Sequence, residues 1–283
     1  MFQVVRKKIL NPTVTWMDVL APAIADKAEP GQFVILRVHE DGERIPLTVA
    51  DCDRERGIVT IIFQVVGKTT YLLNELEEGD GILDFVGPLG LPTHLEGYHN
   101  VAVVGGGLGA AIAYPQAKKL HRLGAEVDSI LGFRNKDLII LEKEMESVSD
   151  RLFVATDDGS NGRKGFVTDV LKERLEAGES YDLVIAIGPL IMMKLVSHLT
   201  RPYQIKTLVS MNPIMVDGTG MCGCCRITVG GETKFACVEG PDFDGHLVDF
   251  DEAMRRQEIY KDCEKLSYET HLCRLTGEEH RHA

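Results

Sequence analysis

The segment Val101-Ala-Val-Val-Gly-Gly-Gly-Leu-Gly109 decides the fold of the middle of this chain. Its first four residues are apolar, as in a strand buried on both faces of a sheet, and a helical pattern follows to about Leu123. A strand, a glycine turn and a helix are typical of a dinucleotide loop, because glycine lets the backbone approach a pyrophosphate at a helix N-terminus. The spacing departs from the full G-x-G-x-x-G pattern, and tight turns also use glycine without a ligand. From this context we predict a nucleotide site at Gly106, Gly107, Leu108 and Gly109.

The sequence on either side of this segment predicts an α/β domain with a parallel sheet. Apolar strands at 127–131, 152–155 and 183–187 alternate with helical stretches at 138–146, 166–177 and 191–199. Ligands of such sheets bind at the carboxyl ends of the strands. Ordinary loop chemistry also favours Asp, Gly and Ser at strand ends, and Arg134 also has an ordinary solvent-exposed interpretation. The candidate residues at these ends are Phe133, Arg134, Thr156, Asp157, Asp158, Gly188 and Pro189.

The first 97 residues predict a small β-barrel. Short β-rich runs at 33–38, 45–49 and 58–63 are separated by the turn dipeptides Pro30-Gly31, Asp41-Gly42 and Arg56-Gly57. One helix is predicted at Thr69–Leu76, and the segment 87–92 has the composition of a turn-rich linker.

A cysteine-rich loop dominates the last part of the chain. Four of the seven cysteines lie between Cys222 and Cys237, and the spacing from Asp217 is D-x4-C-x2-C-x11-C. This is the plant-type [2Fe–2S] spacing with aspartate in place of the first cysteine. We predict the ligands Asp217, Cys222, Cys225 and Cys237, with Cys224 as the alternative fourth ligand. A structural zinc site and a set of free buried cysteines are the competing interpretations, and the glycines of the loop favour a cluster.

Composition restricts the function further. The length of 283 residues suggests two domains, and the hydrophobic fraction of 44% is normal for a globular protein. The net charge of −12 argues against a nucleic-acid partner. No apolar run reaches the length of a membrane span, and the first residues lack the features of a signal peptide, so we expect a cytoplasmic protein. No Ser–His–Asp or H-E-x-x-H arrangement is present. That absence is compatible with hydride transfer, which depends on the orientation of two cofactor rings.

Taken together, these motifs resemble the ferredoxin–NADP reductase superfamily over essentially the whole chain. The resemblance is closer to electron-transfer subunits of the dihydroorotate dehydrogenase type. It implies an all-β FAD-binding barrel at 1–97, an NAD-binding α/β domain with a parallel sheet at 98–208, and a [2Fe–2S] region with a helical tail at 209–283. The motifs that carry it are Pro46-Leu-Thr48, Gly67-Lys-Thr-Thr70, Gly79-Asp80, Gly87-Pro-Leu-Gly90, Gly105–Gly109, Gly132-Phe-Arg134, Thr156–Ser160, Gly188-Pro189 and the cysteine loop.

The resemblance also implies which residues bind FAD. The flavin would lie against 46–48 and 62–64, and the pyrophosphate would meet the helix start at 67–70. Where the family has an arginine immediately before this proline, the chain has Ile45, and the arginine is Arg44, one position earlier. In a regular strand, this shift by one residue would direct Arg44 to the face opposite the flavin. The implied FAD-binding residues are Arg44, Pro46, Leu47, Thr48, Ile62, Phe63, Gln64, Gly67, Lys68, Thr69 and Thr70.

Asp217 and the tail that begins at Phe243 resemble one branch of this family. That branch comprises small subunits of NADH-dependent reduced ferredoxin:NADP oxidoreductases, also described as sulfide dehydrogenase subunits. It implies an electron-bifurcating heterodimer that uses NAD(H), FAD and a [2Fe–2S] cluster. The larger partner would resemble the glutamate synthase small subunit, and ferredoxin would react through the complex. The alternatives are an electron-transfer subunit of an NAD-dependent dihydroorotate dehydrogenase and a zinc-stabilised nucleotide-sensing module.

Overall fold

Seven antiparallel strands at the start of the chain form one sheet that curls into a nearly closed barrel. The computed structural model describes residues 1–276. The strands lie in the order β6-β1-β2-β5-β4-β3-β7. They are β1 (Phe2–Asn11), β2 (Val14–Leu20), β3 (Phe33–Arg37), β4 (Ile45–Asp53), β5 (Ile58–Gln64), β6 (Gly81–Ile82) and β7 (Asp84–Leu89), with helices α1 (Pro22–Ala25) and α2 (Lys68–Glu75) between them.

The middle of the chain forms a second sheet with five parallel strands. These five lie in the order β10-β9-β8-β11-β12, so the chain moves outward from β8 and returns beside β8 at β11. A crevice between neighbouring strands whose connections leave in opposite directions is where such sheets bind ligands. The elements are β8 (Asn100–Gly106), α3 (Gly109–Arg122), β9 (Glu126–Phe133), α4 (Glu142–Glu146), β10 (Arg151–Thr156), α5 (Val167–Glu176), β11 (Leu183–Ile187), α6 (Leu190–Thr200) and β12 (Lys206–Ser210).

The last part of the chain leaves this sheet and returns to it. A hairpin of β13 (Arg226–Val229) and β14 (Glu232–Phe235) is followed by α7 (Ala236–Glu239), β15 (Asp242–Asp244), α8 (Phe250–Gln257) and α9 (Lys261–Thr276). Strand β15 pairs antiparallel with β12, and the Met211 N–H donates to the Pro241 oxygen over 2.9 Å. Residues 211–241 therefore start and finish at one point on the sheet edge. Residues 277–283 of the predicted region 209–283 lie outside the described part of the chain. The boundaries of the three predicted domains stay predictions.

Alternating side chains of β8 explain why helices cover both faces of this sheet. Val101 and Val103 lie in one buried cluster with residues of α3 and α4, whereas Ala102 and Val104 lie in another with residues of α5 and α6. A parallel strand buried on both faces needs such a continuous apolar run, and this is the pattern found in the sequence.

The barrel and the second sheet are joined by charged contacts along α3. The Lys118 ammonium lies 2.6 Å from the Asp51 carboxylate of β4, and the Lys119 ammonium lies 2.9 Å from that of Glu29. Because each of these four side chains is at least half buried, the ion pairs are less screened than pairs on an open surface. They fix the orientation of α3 against the barrel.

The predicted fold class is confirmed, with two local corrections. The helix predicted at 138–146 is wrong, because Leu141 adopts a left-handed backbone (φ 56°) and only Glu142–Glu146 is α-helical. The linker prediction at 87–92 is also wrong in part, since β7 continues to Leu89, which pairs with Phe33. The charged tail forms two helices, α8 and α9. Within residues 1–276, no helix has the length and apolar character needed to cross a membrane.

The start of α3 provides a test of this packing. A Cβ at Gly109 would overlap the backbone carbonyl oxygen of Ile187, which cannot move without displacing β11. We expect Gly109→Ala to lower the free energy of unfolding by about 1–3 kcal/mol in urea denaturation. Gly67→Ala is the control, because a Cβ there meets no atom within 4 Å, and it should cost only the penalty of alanine at an N-cap, about 0.5–1 kcal/mol. Equal losses in the two variants would contradict the close approach of α3 to β11.

Candidate functional site

The predicted flavin segments face each other across an opening in the barrel sheet. Strands β4 and β5 pair up to Val49 and Ile61. Beyond that pair, in the described part of the chain, Ile45–Thr48 pairs only with β3 and Ile62–Gln64 only with β2. The two open edges present backbone N–H and C=O groups with no ladder between them, apart from Pro46, which lacks an N–H. Such a split can hold a planar ring that carries its own donors and acceptors.

Helix α2 begins beside this opening with an internally bonded first turn. The backbone N–H groups of Val66 and Gly67 both donate to Thr70 Oγ1 over 3.0 Å, and that hydroxyl donates to the Gly67 oxygen. The buried Thr69 hydroxyl donates to Glu43 Oε2 over 3.2 Å. The helix start is suited to an anion, but a pyrophosphate bound there has to displace the Glu43 carboxylate. Sequence reasoning missed Glu43.

Arg44 lies at the mouth of the same opening. It is exposed in the loop just before β4, which begins at Ile45, so its side chain is not fixed to either face of the strand. Lys68 is half-buried in the first turn of α2. The structure thus places both cations near the predicted flavin segments, and their role as ligands stays a prediction.

The glycine loop lies at the carboxyl edge of the second sheet, where β8 and β11 are neighbours. The Gly107 N–H donates to the Gly132 oxygen over 2.8 Å. A Cβ at Gly188 would lie 3.1 Å from the Gly106 oxygen, so the loops after β8 and β11 are in close contact. Gly106, Gly188 and Pro189 therefore come together as predicted from the strand ends.

The ends of β9 and β10 bring three charged side chains to the same edge. The N–H groups of Asp157 and Asp158 donate to the oxygens of Phe133 and Arg134 over 3.0 and 3.3 Å. Hydrogen bonds from Ser160 lower the pKa of Asp158 below its ordinary value, so it is charged at neutral pH. The neighbouring carboxylates of Asp157 and Asp158, beside Arg134, can accept hydrogen bonds from the hydroxyl groups of a ribose, whereas they would repel a phosphate on its 2′ position.

The cysteine loop contains two adjacent buried thiols. Cys225 Sγ and Cys237 Sγ lie 3.2 Å apart, and burial raises the pKa of Cys237 to about 12. Cys222 is exposed, and its N–H donates to Asp217 Oδ2 over 2.8 Å while the Thr219 N–H donates to Oδ1. Within residues 1–276, no three His, Cys, Asp or Glu side chains already converge as a metal site.

This donor set nevertheless fits an iron–sulfur cluster. Thiolates are soft ligands that iron–sulfur centres prefer, and binding releases the protons that the buried thiols carry. Gly218, Gly220 and Gly223 have φ values of 75°, 86° and 68°, so the loop already contains the tight turns needed around an inorganic core. The fourth position is less fixed. Cys224 lines a separate cavity with Arg226 and Arg256, whereas Asp217 is bonded within the loop itself.

The cysteine loop lies against the barrel. A Cβ at Gly218 would lie 2.7 Å from Leu89 Cδ1 and 3.1 Å from Ile35 Cδ1. Ile35 pairs in register with Pro46, a predicted flavin residue. The cluster loop and the flavin opening are thus separated by one strand of the barrel. Sequence reasoning missed Ile35 and Leu89, because an apolar side chain gives no local sign of which distant loop it meets.

Three comparisons with known proteins agree with this geometry. The family model for the iron–sulfur cluster binding domain of dihydroorotate dehydrogenase B matches residues 212–249. A Thermotoga maritima homologue of the electron transfer subunit of dihydroorotate dehydrogenase B (NAD(+)) is 49% identical over 270 residues, covering 95% of each chain. A structure of NADH-dependent reduced ferredoxin-NADP oxidoreductase, described in relation to flavin-based electron bifurcation, contains a chain with 48% identity and a TM-score of 0.91, covering 96% of this chain and 98% of that one. An Amycolatopsis cytochrome P450 reductase shares the fold at 20% identity, with a TM-score of 0.61 over 72% of this chain and 66% of that one.

Fold and site together define an electron-transfer oxidoreductase of the ferredoxin–NADP reductase superfamily, with FAD, NAD(H) and an iron–sulfur cluster as its cofactors. The chain belongs to the family of dihydroorotate dehydrogenase B electron-transfer subunits. The predicted cofactors and enzyme class are confirmed. The iron–sulfur family match favours a cluster over the zinc-stabilised module.

The packing of Gly218 in the cysteine loop against the barrel can be tested by adding one methyl group at this position. Gly218→Ala has to displace Leu89 or the loop, whereas Gly231→Ala adds the same group at a similar backbone angle (φ 82°) into open space. Both variants strain a left-handed backbone, and we expect Gly218→Ala to lose about 1–3 kcal/mol more of the free energy of unfolding. Denaturant melts of the two cluster-free proteins measure the difference. Identical midpoints would show that the loop does not rest on the barrel.

Proposed function

We propose that this chain carries electrons between NAD(H) and a larger partner subunit, by way of FAD in the barrel and a [2Fe–2S] cluster in the cysteine loop. The single observation that supports this most is the contact of Gly218 with Ile35, whose cross-strand neighbour is Pro46. It brings the cluster loop to the wall of the flavin opening. The bound cofactors supply hydride acceptance and one-electron transfer, and the protein supplies their placement.

The flavin residues follow from the split between β4 and β5. Pro46–Thr48 and Ile62–Gln64 border the ring on its two sides, and the helix start at Gly67–Thr70 receives the pyrophosphate. The half-buried side chains of 46–48 and the buried Ile62 exclude water from the ring, while Phe63 points to the opposite face and packs in the barrel core. Arg44 and Lys68 are the neighbouring cations that offset the phosphate charge.

The nicotinamide nucleotide binds at the carboxyl edge of the second sheet. Gly106–Gly109 let the backbone approach the pyrophosphate, and Gly188 and Pro189 close the neighbouring side of the crevice. Phe133, Arg134 and Thr156 border the nucleotide where β9 and β10 end, and Thr156 is held by the Asn161 side chain over 2.9 Å. Asp157 and Asp158 repel a 2′-phosphate, which supports NAD(H) over NADP(H).

The cluster ligands are Asp217, Cys222, Cys225 and Cys237. Asp217 is preferred to Cys224 as the fourth ligand, because Cys224 lines a cavity on the side of α8. A carboxylate is a harder ligand than a thiolate, so its presence alters the reduction potential of the cluster relative to four thiolates.

The proposed complex is an electron-bifurcating heterodimer that reacts with ferredoxin. A chain from NADH-dependent reduced ferredoxin-NADP oxidoreductase is 48% identical over 96% of this chain, whereas a relative named as a dihydroorotate dehydrogenase B electron transfer subunit is 33% identical over 85% of it, and this difference supports the proposed complex. The partner is a larger flavin and iron–sulfur subunit that resembles the small subunit of glutamate synthase. Isolation of the native complex under anaerobic conditions and identification of its second chain test the choice. A dihydroorotate dehydrogenase catalytic subunit in that position would refute it.

The cluster assignment predicts different outcomes for individual ligands. Cys225→Ala should remove nearly all iron and acid-labile sulfide while FAD is retained, because the flavin residues lie on other elements. Asp217→Cys should keep the cluster with a changed potential, and Cys224→Ala should keep both iron and potential. Cys52→Ala, in the barrel, is the control that should keep full iron content. Chemical analysis and visible absorption measure each result. If Cys224→Ala loses its iron and Asp217→Cys has the same reduction potential as the wild type, Cys224 rather than Asp217 is the fourth ligand.

The partner is expected to dock on the apolar rim of the cluster loop. Met221 is 89% exposed between two predicted ligands, and Gly220 next to it packs on the half-exposed Val238. Met221 and Val238 together present apolar side chains to solvent beside the proposed ligands, and methionine is frequent at protein-binding surfaces. Met221→Glu should weaken partner binding about tenfold or more in a titration of the two subunits. Leu247→Glu, on another exposed surface, is the control, and equal affinities at full iron content would contradict docking here.

A further inference from the structure

Helix α8 is fixed at its start and along one face. The Asp249 side chain accepts the Glu252 N–H over 2.9 Å and thereby caps the helix. Phe250 and Ala253 are buried, and the Asp251 carboxylate lies 2.7 Å from the Lys194 ammonium of α6. The helix therefore has a defined position against α6, which begins at the proposed nucleotide site.

The last turn of α8 binds the cysteine loop. Arg256 Nη2 donates to the backbone oxygen of Cys224 over 3.2 Å, and Gln257 Nε2 donates to Asn212 Oδ1 over 3.1 Å. Arg226, which lines the same cavity as Arg256, donates from Nη1 to the Gly223 oxygen over 3.1 Å. Two guanidinium groups thus hold two successive carbonyls between the proposed ligands Cys222 and Cys225.

These contacts set the direction of two peptide groups. In a trans peptide the carbonyl and the following N–H point in opposite directions. Because the Cys224 carbonyl points toward Arg256, the N–H of Cys225 in the same peptide group points away from that guanidinium. Likewise, the Gly223 carbonyl points toward Arg226, so the N–H of Cys224 points away from it. Backbone N–H groups directed at the sulfurs and nearby positive charge both stabilise the more negative, reduced form of a cluster.

We propose that Arg256 is a positioning residue for the cluster: it fixes the peptide between Cys224 and Cys225 and raises the reduction potential. The inference rests on the proposed [2Fe–2S] site and extends it to a helix that contributes no ligand. Because Arg256 is partly buried and binds a carbonyl far away in sequence, its effect differs from that of a solvent-exposed charge on the same helix. Arg255 is such a charge, exposed and one position earlier.

The test compares Arg256→Gln with Arg255→Gln in the anaerobically purified full chain. Both variants remove one positive charge from α8, and only the first loses the bond to the cluster loop. Redox titration followed by electron paramagnetic resonance should show a lower cluster potential in Arg256→Gln and a potential close to that of the wild type in Arg255→Gln. Arg256→Lys keeps the positive charge, and its cluster should have a reduction potential close to that of the wild type.

Iron, sulfide and FAD contents and thermal unfolding accompany each titration. Arg256→Gln protein that folds and binds FAD but assembles no cluster also supports the positioning role. Equal potentials in the two glutamine variants overturn the inference. Should Arg256→Gln fail to fold, Arg226→Gln has to show the lowered potential, and an unchanged value there overturns it as well. A wild-type protein without [2Fe–2S] would instead refute the proposed function itself.

Discussion

One buried apolar cluster joins all three parts of this molecule, and the placement of the sites depends on it. Phe33 and Ile35 from the barrel lie in the same cluster as Val104 and Ala186 from the parallel sheet and as Cys225 and Cys237 from the cysteine loop. Interiors of this kind are close-packed, so none of the three parts can move without opening a void in the others. Packing therefore holds the barrel, the parallel sheet and the cysteine loop in a defined arrangement, and the proposed sites with them.

The barrel sheet is split between β4 and β5 at a defined point. A continuous ladder between β4 and β5 would satisfy every backbone group and leave no room for a ring. The pairing stops at Val49 and Ile61, and a proline at position 46 has no N–H to leave unsatisfied on the open edge. The chain keeps the split because β2 and β3 still pair with the outer edges of the two strands. Local sheet stability is exchanged for a binding surface.

Much of this architecture could be predicted from sequence, and the remainder shows where local patterns lose information. The buried runs at Val101–Val104 and Leu183–Ile187 predicted their strands because a doubly covered strand must be apolar throughout. Residues 87–89 of β7 lie within the predicted linker 87–92, since their glycine and proline are turn residues and only pairing with β3 makes them part of a strand. The roles of Ile35 and Arg256 had no local signal, because each depends on contact with a loop far away in the sequence.

Residues 211–241 form a loop whose two ends lie next to each other on one edge of the parallel sheet. The excursion leaves β12 and rejoins the same edge through β15, with Ser210 directly opposite Asp242. Insertions that begin and end at adjacent points are tolerated by a folded domain, because the host chain keeps its own connections. The iron–sulfur segment is thus an excursion whose two ends meet, so the connections of the parallel sheet do not run through it. Its buried side chains, Cys225 and Cys237 among them, still complete the core that the barrel and the sheet share.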